Sequence, residues 1–174
     1  MENWKLNKVP YSKQVINHFQ NPKNFGKMAN PSAIGKVGNP VCGDLMHLYI
    51  KVEKNKQGEE FLSDIKFQTF GCVAALATSS AITEIAKGKT IKEAIGISSK
   101  QLVDSLGQLP PVKIHCSVLA ADALHEAIFN YLEKTDQDVP ESLAKTHQRL
   151  KKERELIKEK FADWVSLEEN QLEK

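Results

Sequence analysis

Apolar and polar positions along this chain change period part-way, and the change separates strands from helices. Met46, Leu48, Ile50 and Val52 alternate with His47, Tyr49, Lys51 and Glu53, the two-residue period of a strand with one buried face. Residues 55 to 58 supply a turn, and a second run from 61 to 70, with Ile65, Phe67 and Thr69 on one face, predicts a hairpin. Strand character also begins near Ala33 and breaks at Gly38, Asn39 and Pro40. After Cys72 the stretch VAALATSSAITEIAKG predicts a helix stopped by Gly88. Two short helices follow, opening with TIKE and SSKQ as capping boxes. From Cys116 the residues Leu119, Ala120, Ala123, Leu124, Ala127, Ile128 and Tyr131 form one buried stripe at helical spacing that runs to Lys134. A short helix over 11 to 19, capped by Ser12, and a turn-rich loop held down by Phe25 and Met28 precede the strands. Strands first and helices afterwards predict an α+β fold: a small antiparallel sheet of about three strands, covered on one face by helices.

Beyond Lys134 the pattern weakens. TDQDVP reads as a linker, and residues 141 to 174 are mostly charged with helical propensity. Leu143, Leu150, Ile157 and Trp164 recur every seven residues, but the companion positions His147, Arg154, Phe161 and Glu168 hold one apolar residue, so a coiled-coil seam is weakly encoded. The competing expectation is an amphipathic helix folded back on the domain through Phe161 and Trp164. The chain thus divides into a compact domain, residues 1 to 134, and a charged helical C-terminal extension, residues 135 to 174.

Composition narrows the function classes. A chain of 174 residues, 41% hydrophobic and 26% charged, can bury a core without disulfides or metal. It has no apolar run of the ~18 residues a membrane helix needs, and its N-terminal stretch has no apolar signal region, so a cytoplasmic protein without a membrane partner is expected. With 24 basic against 22 acidic residues, nothing favours nucleic acid electrostatically. Three cysteines, an odd number in a reducing compartment, argue for thiol or metal chemistry over disulfides.

All three cysteines fall at junctions. In LPPVKIHC the prolines fix an extended entry, and Cys116 then lies in the first helical turn, where backbone N–H groups and the helix dipole favour a thiolate; His115 is its neighbour. Cys72 stands where a strand becomes a helix, and Cys42 precedes Asp44 in the turn before a strand. A free cysteine is often a small core hydrophobe, but core cysteines have no reason to fall beside Asp44 and His115. Three thiolates with a carboxylate or an imidazole suit zinc or an iron-sulfur cluster. No two cysteines form a local CxxC clip, so the site is drawn from three distant loops and is expected to be labile and near the surface. His18, His47, His125 and His147 read as solvated side chains. No nucleophilic triad, phosphate loop or paired catalytic carboxylates are present in the sequence, so no catalytic residue is assigned and an enzyme is not expected.

The segments YSKQVINHFQNPKNFG, GNPVCGD, FGCVAALATSS and LPPVKIHCSVLAADAL, in that order, resemble the NifU/IscU family of iron-sulfur cluster assembly scaffolds from about residue 10 to residue 134. The resemblance implies that Cys42, Cys72 and Cys116 hold a cluster and accept persulfide sulfur from a cysteine desulfurase. It makes Asp44 the carboxylate that ligates the cluster or keeps it labile, and His115 the alternative fourth ligand. A labile 2Fe-2S cluster would be built from iron and sulfur and passed to apo iron-sulfur proteins, with zinc in the cluster-free form and a homo-oligomer in the cluster-bound one. Leu109, Pro110, Pro111, Val112 and Lys113 match the segment that a chaperone and its co-chaperone grip. Val73 departs from the pattern, since many members carry Gly there, and the tail lacks the CxxC of longer NifU proteins. An alternative within the resemblance is a zinc-binding sulfur-relay protein that activates a desulfurase; His115 directly before Cys116 and the intact LPPVK favour the scaffold.

Overall fold

The computed structural model describes residues 11 to 160. Helix α1 (Lys13–Gln20) begins at Ser12, whose hydroxyl oxygen accepts the Val15 N–H and whose own proton is donated to the Leu106 carbonyl, tying the helix to the loop before LPPVK. The following loop runs beside the sheet: Gly26 N–H donates to Phe67 O at 2.8 Å, and the rings of Phe25 and Phe67 meet edge to face. Met28 is buried as expected, whereas Phe25 is about half exposed.

Strands β1 (Ala33–Gly38), β2 (Leu45–Lys54) and β3 (Glu60–Phe70) form an antiparallel sheet in that order. Leu48 stands opposite both Gly35 and Phe67, and Ile50 opposite both Ala33 and Ile65, so one face is continuously apolar. An irregularity at Lys51/Val52 shifts the register and turns Leu62 into the core. That face is covered by α2 (Val73–Ala86) and α5 (Ile114–Lys134), with α3 (Ile91–Ile95) and α4 (Ser99–Ser105) between them in sequence. Both predicted capping boxes form, Thr90 with Glu93 and Ser98 with Gln101. The chain is an α+β fold.

Gly35 sets how close α5 comes. A Cβ there would lie 2.0 Å from Ala123 O and 2.7 Å from Ala127 N, so helix backbone rests directly on strand backbone. The alanine stripe of α5 is what permits this approach, and it fixes where the helix N-terminus, with His115 and Cys116, falls relative to the sheet.

The extension contributes α6 (Glu141–Lys160), which lies against α5 and the outer edge of β1. Its heptad residues Leu143, Leu150 and Ile157 are all buried, each contributing at most about 2 kcal/mol by area. Phe161 and Trp164, which the sequence reading made the docking residues, lie outside the described residues. Polar contacts add register: Arg149 pairs with Asp122 at 2.7 Å, and the fully buried Glu126 receives His147 at 2.9 Å and Arg154 at 3.0 Å. Arg154 also donates to Lys36 O, a carbonyl on the edge of β1, at 2.8 Å.

The reading of four histidines as solvated is overturned. His18 bonds Ser80 Oγ at 2.8 Å, His147 stacks on Phe129 at 3.9 Å, and His125 has its Nε2 buried. His47 is half-buried, and burial, then Lys36 and Arg154, lower its pKa to about 4. The signal for His47 was local alternation; the charge of Arg154, in a helix far along the chain, is something the strand period says nothing about.

Candidate metal centre

Three junctions converge at one end of the sheet: the turn between β1 and β2, the step from β3 to α2, and the first turn of α5. Asn39 builds the first. Its side-chain oxygen accepts the N–H groups of Val41 at 2.8 Å and Cys42 at 3.3 Å, its carbonyl accepts Gly43 N–H, and its own N–H donates to Asp44 O. Gly43 adopts φ +74°, a conformation that costs glycine little. The chain thereby leaves Cys42 exposed and turns Asp44, 7% exposed, inward.

At the second junction Cys72 is the N-cap of α2 and makes no side-chain capping bond, so its thiol is not spent on the helix. Gly71 before it faces Asp44. The third junction is an extended Leu109–Pro110 entry, a single 3-10 turn (Pro111–Lys113) and then α5. Thr78 of α2 donates to Cys116 O at 3.1 Å and holds the α5 start against α2.

The sulfurs of Cys72 and Cys116 lie 3.8 Å apart, and Cys116 Sγ is 3.9 Å from Asp44 Oδ2. Candidate ligand atoms form two overlapping groups, Cys42 with Asp44 and His115, and Asp44 with Cys72 and Cys116, each within 4.8 Å. All five predicted residues therefore come together, with Asp44 in both groups. The spacing fits a metal: tetrahedral zinc with ~2.3 Å bonds to sulfur sets its ligands roughly 3.8 Å apart. Cys72 and Cys116 already stand at that separation. A cavity of about 640 Å³ opens over Cys42, Asp44 and Cys72.

Electrostatics reverse one expectation. The helix N-terminus was expected to favour a Cys116 thiolate, but burial, then the neighbouring Cys72, with Asp44 and Cys42 behind it, push that thiol well above its ordinary range. Cys116 is 1% exposed, and at that depth desolvation and repulsion among acids outweigh a helix terminus worth ~1 kcal/mol. Burial also raises Cys42, with Asp44 adding to it. Lys113 is raised, chiefly by the charge of Cys72, so the cation of LPPVK faces the site. A thiol raised by burial, as those of Cys116 and Cys42 are, gives up its proton when it binds a metal.

In the Leu109-to-Lys113 segment Leu109 is buried and Val112 is 75% exposed. Sequence reading missed Asn39 and Gly71; the signals were a turn-forming Asn-Pro pair and a glycine beside a cysteine at a strand end.

Residues 10–138 match the family model described as the NifU-like N-terminal domain. The chain is 57% identical over 124 residues to a protein of Archaeoglobus fulgidus named iron-sulfur cluster assembly scaffold protein IscU 1, spanning 71% of this chain and 78% of the relative. It is 50% identical over 129 residues to the iron-sulfur cluster assembly scaffold protein IscU of Azotobacter vinelandii, spanning 72% and 97%. The crystal structure of a NifU-like protein (N-terminal) from Brucella abortus superposes with a TM-score of 0.55 at 21% identity, over 72% of this chain and 96% of that one, a likeness of fold.

Proposed function

The chain belongs to the NifU-like N-terminal domain family, and from that membership we propose that it is a scaffold, without turnover of its own, on which a labile 2Fe-2S cluster is built as cargo and passed to apo iron-sulfur proteins. The observation that carries the proposal is the 3.8 Å separation of Cys72 and Cys116 with Asp44 shared between both ligand groups. Cys42, Cys72 and Cys116 are the thiolate ligands, Asp44 the exchangeable carboxylate and His115 the alternative fourth ligand. Zinc suits the same donors in the cluster-free form.

Sulfur arrives as persulfide from a cysteine desulfurase. A thiolate among Cys116, Cys42 and Cys72 attacks the outer sulfur, forming a new S–S bond on the scaffold, while the donor's S–S bond breaks and the donor leaves as a thiolate. Reduction of that sulfur to sulfide draws two electrons from an external reductant protein. Exposure falls from Cys42 through Cys72 to Cys116, an order that suits entry from outside. Exposed Val41 and Phe70 line the cavity at the site, and exposed Val112 and Ile114 lie just before His115 in the chain, apolar surface of the kind protein partners cover. The segment from Leu109 to Lys113 is the handle for a chaperone and co-chaperone, because pulling on it moves Cys116. A second copy meets the first at this rim when the cluster is bound.

Anaerobic incubation of the full chain with iron, cysteine, a desulfurase and a thiol reductant that supplies the two electrons per sulfur tests this. Charge-transfer absorption of a 2Fe-2S cluster is expected, and its loss in Cys72→Ser and Cys116→Ser. Zinc retained throughout, with stimulated desulfurase turnover and no such absorption, would replace the scaffold reading with the zinc-dependent sulfur relay.

A further inference from the structure

α6 lies outside the segment that matches the family, yet it reaches the site. Ile157, 4% exposed, lines the same cavity as Cys42, Asp44 and Cys72. Its seat exists because residue 38 has no side chain. A Cβ on Gly38 would lie 2.7 Å from Ile157 Cδ1 and 2.5 Å from Leu45 Cδ2, so Ile157 rests on bare strand at the end of β1, next to the turn that carries Cys42. Arg154, less than one helical turn back, bonds the β1 edge through Lys36 O and α5 through Glu126. Arg149 and Glu153, paired at 3.0 Å, line a second cavity of about 240 Å³ together with His115 and Val41. Two cavities that flank the Cys42 turn are thus walled in part by α6.

The docking of α6 is uneven along its length. Its first half is held by Leu143, Leu150 and the His147–Phe129 stack; after Arg154, Ile157 is the buried apolar contact among the described residues, while its neighbour Leu156 is 46% exposed. Among the described residues the apolar anchors of α6 are denser before Arg154 than after it, and local opening favours the stretch with fewer.

We infer that Ile157 is a wall of the metal and cluster site, and that lifting of the last turns of α6 paces the exchange of metal between that site and solvent. The inference rests on the scaffold reading of the cavity. It assigns the extension a function: closing the solvent side of a site that must still open for delivery. Ile157 acts through shape, by excluding water and chelators from beside Cys72, and it bonds to no metal.

Two rates test it in the full chain. One is zinc release from zinc-loaded protein to excess chelator, and the other is alkylation of Cys72 by iodoacetamide in metal-free protein, mapped by mass spectrometry. Ile157→Ala removes the wall and Gly38→Ala unseats it from the strand side, so each is expected to raise both rates about fivefold. Ile157→Val should remain within about twofold of wild type, and Leu156→Ala, on the exposed face, should not move either rate. Circular dichroism verifies that each variant is folded. The inference is overturned if folded Ile157→Ala and Gly38→Ala leave both rates at the wild-type value, or if Leu156→Ala accelerates them equally. Failure of the scaffold reading is read separately, as absence of 2Fe-2S absorption on reconstitution, and the alkylation rates would still report whether Ile157 is a wall.

Discussion

Gly71 gives up its side-chain space to Asp44: a Cβ at position 71 would stand 2.9 Å from Asp44 Cγ and 3.0 Å from its Oδ1, as well as 2.8 Å from Ala75 Cβ in the first turn of α2. The carboxylate can lie inward, 3.9 Å from Cys116 Sγ, because the residue before Cys72 is a glycine. Gly71→Ala is expected to push the carboxylate out of line and weaken zinc binding by about tenfold, with the melting temperature changed by a few degrees at most. Titration calorimetry with zinc reads the affinity; unchanged affinity in the folded variant would show that Asp44 is not positioned by this gap.

Asp44 belongs to both ligand groups, and a carboxylate is a harder, more exchangeable ligand than a thiolate. Asp44→Ala is therefore expected to lengthen the lifetime of a reconstituted cluster, read as slower decay of its visible absorption. Decay as fast as in wild type would remove Asp44 from the release step.

Acid sensitivity should come in part from His47. Its pKa falls from the usual 6.5 to about 4 because burial disfavours the cation and Lys36 and Arg154 lie nearby. The unfolded chain takes up this proton at higher pH than the folded one, so stability is intact above pH 6.5 and is lost as pH falls towards 4. Discounted for partial contact with water, the loss is on the order of 1–2 kcal/mol. His47→Gln should flatten the denaturation midpoint across that window, leaving a smaller slope from His18 and His125, which are lowered in the same sense. An unaltered slope would contradict the assignment.

Gly35 carries a different kind of constraint. Gly35→Val would drive a side chain into the backbone of α5 at Ala123 and Ala127, and no side-chain rearrangement relieves a clash with backbone. A loss of ~3 kcal/mol or more is expected in urea denaturation, or failure to fold.

Metal removal should leave the fold standing. Leu48, Ile50, Phe67, Ile82, Leu124 and Ile128 are fully buried between the sheet and α2 and α5, and none is a candidate ligand. Chelated protein is expected to melt cooperatively at a lower temperature, by the amount the metal's binding free energy supplies, with unchanged far-ultraviolet circular dichroism. Unfolding on chelation at room temperature would make the site structural.

Much of this architecture was readable locally. Ser12, Thr90 and Ser98 cap helices because a hydroxyl three residues before a backbone N–H can reach it whatever the rest of the chain does. Met46, Leu48 and Ile50 are buried because period two puts them on one face. The five ligand-type residues were recognisable by type and by their places at element ends. The fate of α6 was half legible: the seven-residue recurrence of Leu143, Leu150 and Ile157 marked a face, but it could not say whether that face met another helix of its own kind or the edge of β1.

Alternation, caps and residue chemistry depend on neighbours within a few positions, and they determined the elements, their order and the set of thiols, carboxylate and imidazole available for metal. Proximity, depth and protonation were decided only by tertiary structure. Cys72 and Cys116 meet at 3.8 Å because Gly35 lets α5 lie on β1, and Asp44 turns inward because Gly71 leaves it room. The Cys116 thiol is raised rather than lowered because desolvation and repulsion act through space, among groups that the chain brings together from three separate turns.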